Sequence, residues 1–252
     1  ADTDDQIDFK TGGSDRMTIN SGGQVLIGTT TPAEYTNRLF TIGDTSIASS
    51  FAEIRTSTSG TGHVLFSDSS GQNTGNYAGY IAYAHASDSM TFHTGGGTER
   101  MKIDSNGHVT MPNQSAFMAY LSISISNLAQ GGSETILRFQ TEQFDLNADY
   151  NNTSYTFTAP VSGKYQFSAS VRLDQMQSNT NYNYVYFKTS NRTLTFWLSA
   201  PQDWNGAAYY TLNGAVLADM DANDTCYIGY IGQGGTDSTD HTDGYFSGHL
   251  VA

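Results

Sequence analysis

Cysteine, proline and positive charge are all scarce in this chain. One of its 252 residues is cysteine, Cys226, so no disulfide framework can form within it. The setting Thr225-Cys226-Tyr227-Ile228-Gly229-Tyr230-Ile231 alternates, and Asp221 and Asp224 stand near it where a reactive thiol would want cations; this reads as a buried strand thiol. Proline occurs 4 times against 26 glycines, and no Gly-X-Y period is present, which excludes a collagen stalk. Lysine and arginine number 11 against 24 aspartates and glutamates, a net charge of −13. Phosphate contacts demand basic side chains, so nucleic acid is excluded as a partner. The acidity divides as about −6 before residue 115 and about −7 after it, too even to mark a binding face. No run approaches the ~20 apolar residues of a membrane span, so no membrane insertion is expected. No basic-then-apolar leader opens the chain. It begins at Ala1 rather than Met, as expected of a piece of a longer protein. Charged residues are only 14%, but 12% aromatics argue for folded β-structure and against disorder.

What is present is a motif written twice. Arg16-Met17-Thr18-Ile19-Asn20-Ser21-Gly22-Gly23-Gln24-Val25 returns as Arg100-Met101-Lys102-Ile103-Asp104-Ser105-Asn106-Gly107-His108-Val109. The lead-ins are Phe9-Lys10-Thr11-Gly12-Gly13 and Phe92-His93-Thr94-Gly95-Gly96, with one extra residue before the second arginine. Met17/Ile19 and Met101/Ile103 alternate with polar residues, and a Ser-x-Gly turn follows each pair. A unit this small cannot bury its own apolar face, so it needs copies along the chain or from other chains. The pattern predicts an elongated, multi-chain β-shaft over residues 1–114, with repeat cores at 9–32 and 79–111 and a joint at Met111-Pro112-Asn113-Gln114.

Between the repeats, Gly79, Ile81, Tyr83, His85, Asp88, Ser89, Met90, Phe92, Thr94, Gly95 and Gly96 precede the second copy. With Arg100, Met101, Ile103, Ser105, Gly107 and Val109 they resemble G-x-I-x-Y-x-H-x-x-D-S-M-x-F-x-T-G-G…R-M-x-I-x-S-x-G-x-V, a modular shaft segment of bacteriophage tail fibres. The first copy supplies the ending Ile27-Gly28-Thr29-Thr30-Thr31-Pro32. The resemblance implies a parallel homotrimer whose chains share one β-rich axis. His85 and His93 read as surface or packed histidines rather than metal ligands.

Residues 115–252 have a different character, holding 12 of the 16 tyrosines and both tryptophans. Alternating runs at 116–126, 134–140, 155–159, 163–174, 181–189, 193–199, 209–220, 225–233 and 245–252 predict nine or ten strands in a sandwich or jelly roll. Phe139, Asp145, Tyr150, Phe157, Gly163, Tyr165 and Phe167 fall on F-x5-[ND]-x4-[FYWL]-x6-F-x5-G-x-Y-x-F. That signature is similar to the globular head of the C1q-like family, related to tumour necrosis factor. Ala116-Phe117-Met118-Ala119 resembles its opening strand and Phe246-Ser247-Gly248-His249-Leu250 its closing one; Ala169 stands where the family has an aromatic residue. The resemblance implies a jelly-roll head in a tight threefold trimer, the same symmetry as the shaft. The expected fold is therefore all-β, an elongated trimeric shaft over 1–114 with a C1q-like β-sandwich head over 115–252.

Three features bear on chemistry. Asp219-Met220-Asp221-Ala222-Asn223-Asp224 begins like a calcium loop, but Asp224 stands where such a loop needs glycine, so it reads as a polar turn. Asp237, Asp240 and Asp243 lie within seven residues with His241 and no cation, which reads as a solvated hairpin tip or, with calcium relieving the repulsion, as a metal site. No nucleophile elbow accompanies His241, so no hydrolytic triad is expected. Asp203, Trp204 and Asn205, between Pro201 and Gly206, and Asn181, Tyr182 and Tyr184 combine aromatic faces with amides and a carboxylate. Apolar sugar faces stack on such rings while hydroxyls meet the polar groups. The resemblance and these residues together predict a non-enzymatic adhesin at a phage tail-fibre tip, extracellular on the virion and joined to upstream tail components. Its ligand would be host bacterial surface polysaccharide. Two alternatives stay open: a tailspike enzyme that cleaves that polysaccharide, and a purely structural fibre whose head only trimerises and caps the shaft.

Overall fold

The computed structural model describes residues 6–21, 24–27, 40–42, 49, 52–68, 77–200, 209–235 and 238–252. Contacts divide the chain into two compact units, Ala1–Thr98 with Ile103–His108, and Glu99–Lys102 with Val109–Ala252. All regular elements among the described residues are strands, apart from single turns, and no helix there is long and apolar enough to cross a membrane.

The repeat-bearing part holds two sheets. In one, β1 (Ile7–Thr11), β2 (Ser14–Ile19), β3 (Val25–Ile27) and β4 (Phe40–Ile42) follow in order, antiparallel except for the parallel pair β3 and β4. In the other, β5 (Thr61–Phe66), β6 (Gly79–Ala84), β7 (Ser89–Thr94), β8 (Thr98–Ile103) and β9 (Val109–Thr110) also follow in order. The two motif copies fold alike. β1 turns into β2 through Gly12 and Gly13, at φ 59° and 78°, and β7 turns into β8 through Gly95, Gly96 and Gly97, at φ 62°, 79° and 95°. The extra residue of the second copy is thus accommodated as a third left-handed glycine, a conformation costly to other residues. After each second strand an Asx side chain closes the next turn. Asn20 Oδ1 accepts the Gln24 N–H at 3.0 Å, and Asp104 Oδ1 accepts the His108 N–H at 2.9 Å.

The head is an antiparallel β-sandwich of twelve strands among the described residues. They are β10 (Ala116–Tyr120), β11 (Ile125–Leu128), β12 (Thr135–Ile136), β13 (Thr141–Asp145), β14 (Tyr150–Asn151), β15 (Thr156–Thr158) and β16 (Gly163–Asp174), then β17 (Thr180–Thr189), β18 (Thr193–Ser199), β19 (Tyr209–Met220), β20 (Thr225–Gly234) and β21 (Thr239–Leu250). One sheet runs β13-β10-β21-β16-β19, with β11 also on β21; the other runs β14-β15-β20-β17-β18, with β12 on β20.

The residues of the aromatic signature meet in one core. Phe139, Tyr150, Phe157, Tyr165 and Phe167 are all buried with Phe117 and Phe246. Phe117 stacks on Tyr150 and Phe157 with ring centroids 4.9 and 5.1 Å apart, and meets Phe246 edge-on at 5.0 Å. Such pairs add about 0.5–1.5 kcal/mol each beyond the area they bury. Asp145 serves as a turn clamp, its carboxylate accepting the N–H groups of Asp149 and Tyr150 at 3.1 and 2.9 Å. Gly163 leaves room for the closing segment, since a Cβ there would lie 2.6 Å from the Ala252 carbonyl oxygen. Ala169 is buried, so a small side chain fills the place where an aromatic was expected.

Three of the expected strands, 163–174, 193–199 and 209–220, have the predicted bounds, and Cys226 is buried in β20 as its alternating run predicts. The run 116–126 is interrupted between β10 and β11, the run 134–140 is a strand only at Thr135–Ile136, and the start of the last strand is also corrected. The final strand begins at Thr239 rather than Tyr245, so Asp240 and Asp243 sit within a strand instead of at a hairpin tip. The pairing of β21 with β16 carries a bulge at Thr242, which absorbs one residue between His241 opposite Leu173 and Asp243 opposite Arg172.

Candidate functional site

The run Thr180-Asn181-Tyr182-Asn183-Tyr184-Val185-Tyr186-Phe187 becomes β17, and its period of two separates the side chains. Asn183, Val185 and Phe187 point into the sandwich and are buried. Tyr182, Tyr184 and Tyr186 line the outward face as a row, with centroids 5.8 and 5.3 Å apart and successive rings tilted by 35°. Tyr186 lies over Gly229 of β20, where an added Cβ would come within 2.4 Å of the ring. Its hydroxyl donates to Glu134 Oε2 at 2.5 Å, and the Tyr227 hydroxyl donates to Oε1 of the same carboxylate. Burial first, and then this carboxylate, raise both phenols above their ordinary range, Tyr227 to about 12. Tyr184 is bordered by Leu198 of β18, 67% exposed, and by Ile231 of β20; Tyr182 is paired with Gln233. Asn181 is exposed at the start of the strand. The result is a strip in which Tyr182 and Tyr184 are half-buried and Tyr186 is fully buried, with amides at one end and a carboxylate at the other. Glu134 was invisible to sequence reasoning, because a single glutamate after Gly131-Gly132-Ser133 carries no local signal that two phenols will reach it.

Asp203, Trp204, Asn205 and Asp237 lie outside the described residues. Asp240 is buried, and its two carboxylate oxygens accept the Asn127 N–H at 2.8 Å and the Gln175 amide at 2.6 Å. Asp243 is exposed and sits opposite Arg172, whose guanidinium pairs with Asp174 at 3.0 Å and covers the Tyr209 ring at 4.3 Å. A calcium ion needs several free hard oxygens; Asp240 has both of its oxygens engaged by protein donors, so the described pair alone does not fit one. Among the described residues no three His, Cys, Asp or Glu side chains gather as a metal site.

The interior beside β17 is polar at one end. Gln130 donates to the Tyr230 hydroxyl at 2.6 Å and to Thr239 Oγ1 at 3.2 Å, and the Tyr230 hydroxyl donates to Asn183. Such a network is favourable only when its members are satisfied. His241, next along β21, is fully buried edge-on to Phe139, and neither ring nitrogen has a hydrogen-bond partner.

With this geometry in place, the comparison with known families is decisive for the head. The C1q domain matches residues 116–251. The chain belongs to the C1q domain family. C1q domains typically form homotrimers, and the family is generally non-catalytic. Solved structures similar to this chain include the globular domain of zebrafish complement 1qA, at 16% identity and TM-score 0.41, covering 55% of this chain and 98% of that one. Another is murine APRIL, at 11% identity and TM-score 0.39, covering 55% of this chain and 99% of that one. No curated protein matches the chain.

Proposed function

We propose that this C1q-domain chain is the distal part of a bacteriophage tail fibre, a parallel homotrimer that binds host surface polysaccharide without cleaving it. The stem would span residues 1–114 and the head 115–252, placed extracellularly at the fibre tip and joined to upstream tail components. The observation that carries the reading is the half-buried pair Tyr182 and Tyr184 on the outward face of β17, backed by the buried Tyr186 and bordered by Leu198, Gln233, Asn181 and Glu134. It offers ring surface to apolar sugar faces and amides and a carboxylate to hydroxyls. Membership of a typically trimeric family supports three such strips per fibre, so weak single sites would add by avidity. The doubled motif of the stem supports the phage origin. The loop with Asp203, Trp204 and Asn205 belongs to the same proposal as a second contact, and a calcium contribution at Asp237, Asp240 and Asp243 would depend on Asp237.

The test uses the full-length trimer and the Tyr182→Ala/Tyr184→Ala double variant. Both are bound to a strain panel and to purified host polysaccharide, with and without chelator. The expected result is binding of some strains by the wild type and at least roughly tenfold weaker binding by the variant, with unchanged circular dichroism. Equal binding by the variant would move the site elsewhere in the head. New reducing ends would favour the tailspike reading. No binding to the phage's own host would leave a structural fibre.

A further inference from the structure

The strands β5, β6 and β7 form an antiparallel meander with two unlike faces. The register pairs Val64 with Ile81 and Ile81 with Phe92, Tyr83 with Met90, and Phe66 with Gly79. Alternation therefore gathers Val64, Phe66, Ile81, Tyr83, Met90 and Phe92 on one face. The opposite face carries His63, Leu65, Tyr80, Ala82, Thr91 and His93. There the Tyr80 ring stacks on His93 at 4.1 Å and meets His63 edge-on at 5.4 Å, and His93 Nδ1 is within 2.8 Å of the Gly97 carbonyl. The first face is mainly apolar, its polar groups being the Tyr83 hydroxyl, which donates to Asp88, and Thr94 at its edge.

Among the described residues this face is exposed along β5 and half-buried at Ile81, Tyr83 and Phe92. Phe66 is 60% exposed and Val64 48% exposed, and Ile54, which packs over Gly62, is itself exposed. A shallow pocket of about 290 Å³ opens between Ile54, Val64, Ile81, Tyr83 and Met90. Among the described residues of the three strands, Ala82 and Ser89 are buried and the rest are half-buried or exposed. A face of this kind marks an interaction site.

The occupant follows from the chain's own connectivity. No Asp, Glu, Lys or Arg occurs in any of the three strands, so nothing there selects a partner by charge. The head belongs to a family that typically forms homotrimers, and β9 and β10 are joined by five residues, 111–115. Three copies of this sheet are thereby tethered to one threefold head, at the millimolar effective concentration of short linkers. We infer that Val64, Phe66, Ile81, Tyr83, Met90 and Phe92 form the threefold core of the stem, each copy packed against the same face of the other two chains. This rests on the trimer of the proposed function and assigns the face that the trimer buries.

The experiment compares neighbours in β5. Val64 and Leu65 are 48% and 47% exposed in the single chain but lie on opposite faces. Val64→Cys and Leu65→Cys are made in the full chain, where Cys226 is buried and silent toward thiol reagents. The mass of each assembly is measured, and its labelling by a water-soluble maleimide is timed. The inference expects a trimer in which the cysteine at 64 reacts at least tenfold more slowly than that at 65. Met90→Cys against Thr91→Cys repeats the comparison in β7 and covers a failure of either β5 variant to fold. A trimer labelled equally at both positions, or protected at 65 instead, overturns this inference alone. A monomer overturns the trimer and this inference together.

Discussion

Acid should weaken the head through His241. The imidazole is fully buried in β21, between Leu173 of β16 and Ile125 of β11 in register and edge-on to Phe139, with no partner at either nitrogen. Burial is the largest influence and pushes its pKa from 6.5 down to about 4; the nearby Asp243 acts in the opposite sense without reversing it. The folded pKa lies below the unfolded one, so as pH falls the unfolded chain takes up the proton first. Stability is then full above pH 6.5 and declines progressively toward pH 4. At about 1.4 kcal/mol for each pH unit between the two values, the loss approaches roughly 3 kcal/mol per chain. For a domain of this size that lowers the melting temperature by on the order of 10 °C. Asp8 and Asp104, held below the usual carboxylate range by their hydrogen bonds, titrate beneath this window. Burial raises the carboxyl of Asp149, which gives the opposite sign. Melting followed by near-ultraviolet circular dichroism from pH 8 to pH 4 measures the decline. His241→Leu, an apolar side chain of similar size, should keep the stability at pH 7 and flatten the profile. If the variant declines as steeply as the wild type, the imidazole is not the cause and the reasoning fails.

Other outcomes follow from the same structure. Phe246→Ala removes a ring that meets Phe117, Phe139, Tyr150, Phe167 and Phe187, and should cost about 3–5 kcal/mol in chemical denaturation. Gly248→Ala would set a methyl 2.5 Å from the Phe167 ring and 2.8 Å from Phe117, so it should cost about 1–3 kcal/mol despite its small size. Glu134→Gln should bring the Tyr227 phenol down from about 12 toward its ordinary value, read as an earlier transition in an ultraviolet pH titration; an unchanged transition would show that burial alone sets it. The Cys226 thiol, raised by burial, should stay unlabelled in native protein and react fully in denaturant.

The sandwich was legible because its aromatic spacing is a packing pattern. Phe139, Tyr150, Phe157, Tyr165 and Phe167 recur at intervals that bring them into one core, and the long strands β16, β18 and β19 read directly from alternation. The short strands were less clear. β13 and β14 span few residues, and their pairing depends on partners distant in sequence. β21 was read as starting late because Asp240, His241 and Asp243 look like loop chemistry. What holds them in a strand is non-local: Asn127 and Gln175 satisfy Asp240, Arg172 faces Asp243, and the bulge at Thr242 restores the alternation. The tyrosine row was half visible. Tyr182 and Tyr184 stood out by composition, but Tyr186 and its link to Glu134 required the sheet. In the repeat-bearing part the doubled motif revealed the hairpins, while the contrast between the faces of β5–β7 emerged only from their register.

The place of β10 in its sheet has a mechanical meaning for the head. β10 lies between β13 and β21 and is bonded to both along its length, from Ala116 opposite His249 to Tyr120 opposite Tyr245. Ladder hydrogen bonds run across the strands. A pull arriving along the chain at Ser115 therefore loads two ladders in shear, and many bonds share the force at once instead of parting one after another. A head anchored in this way resists tension best along the line from which its own chain enters.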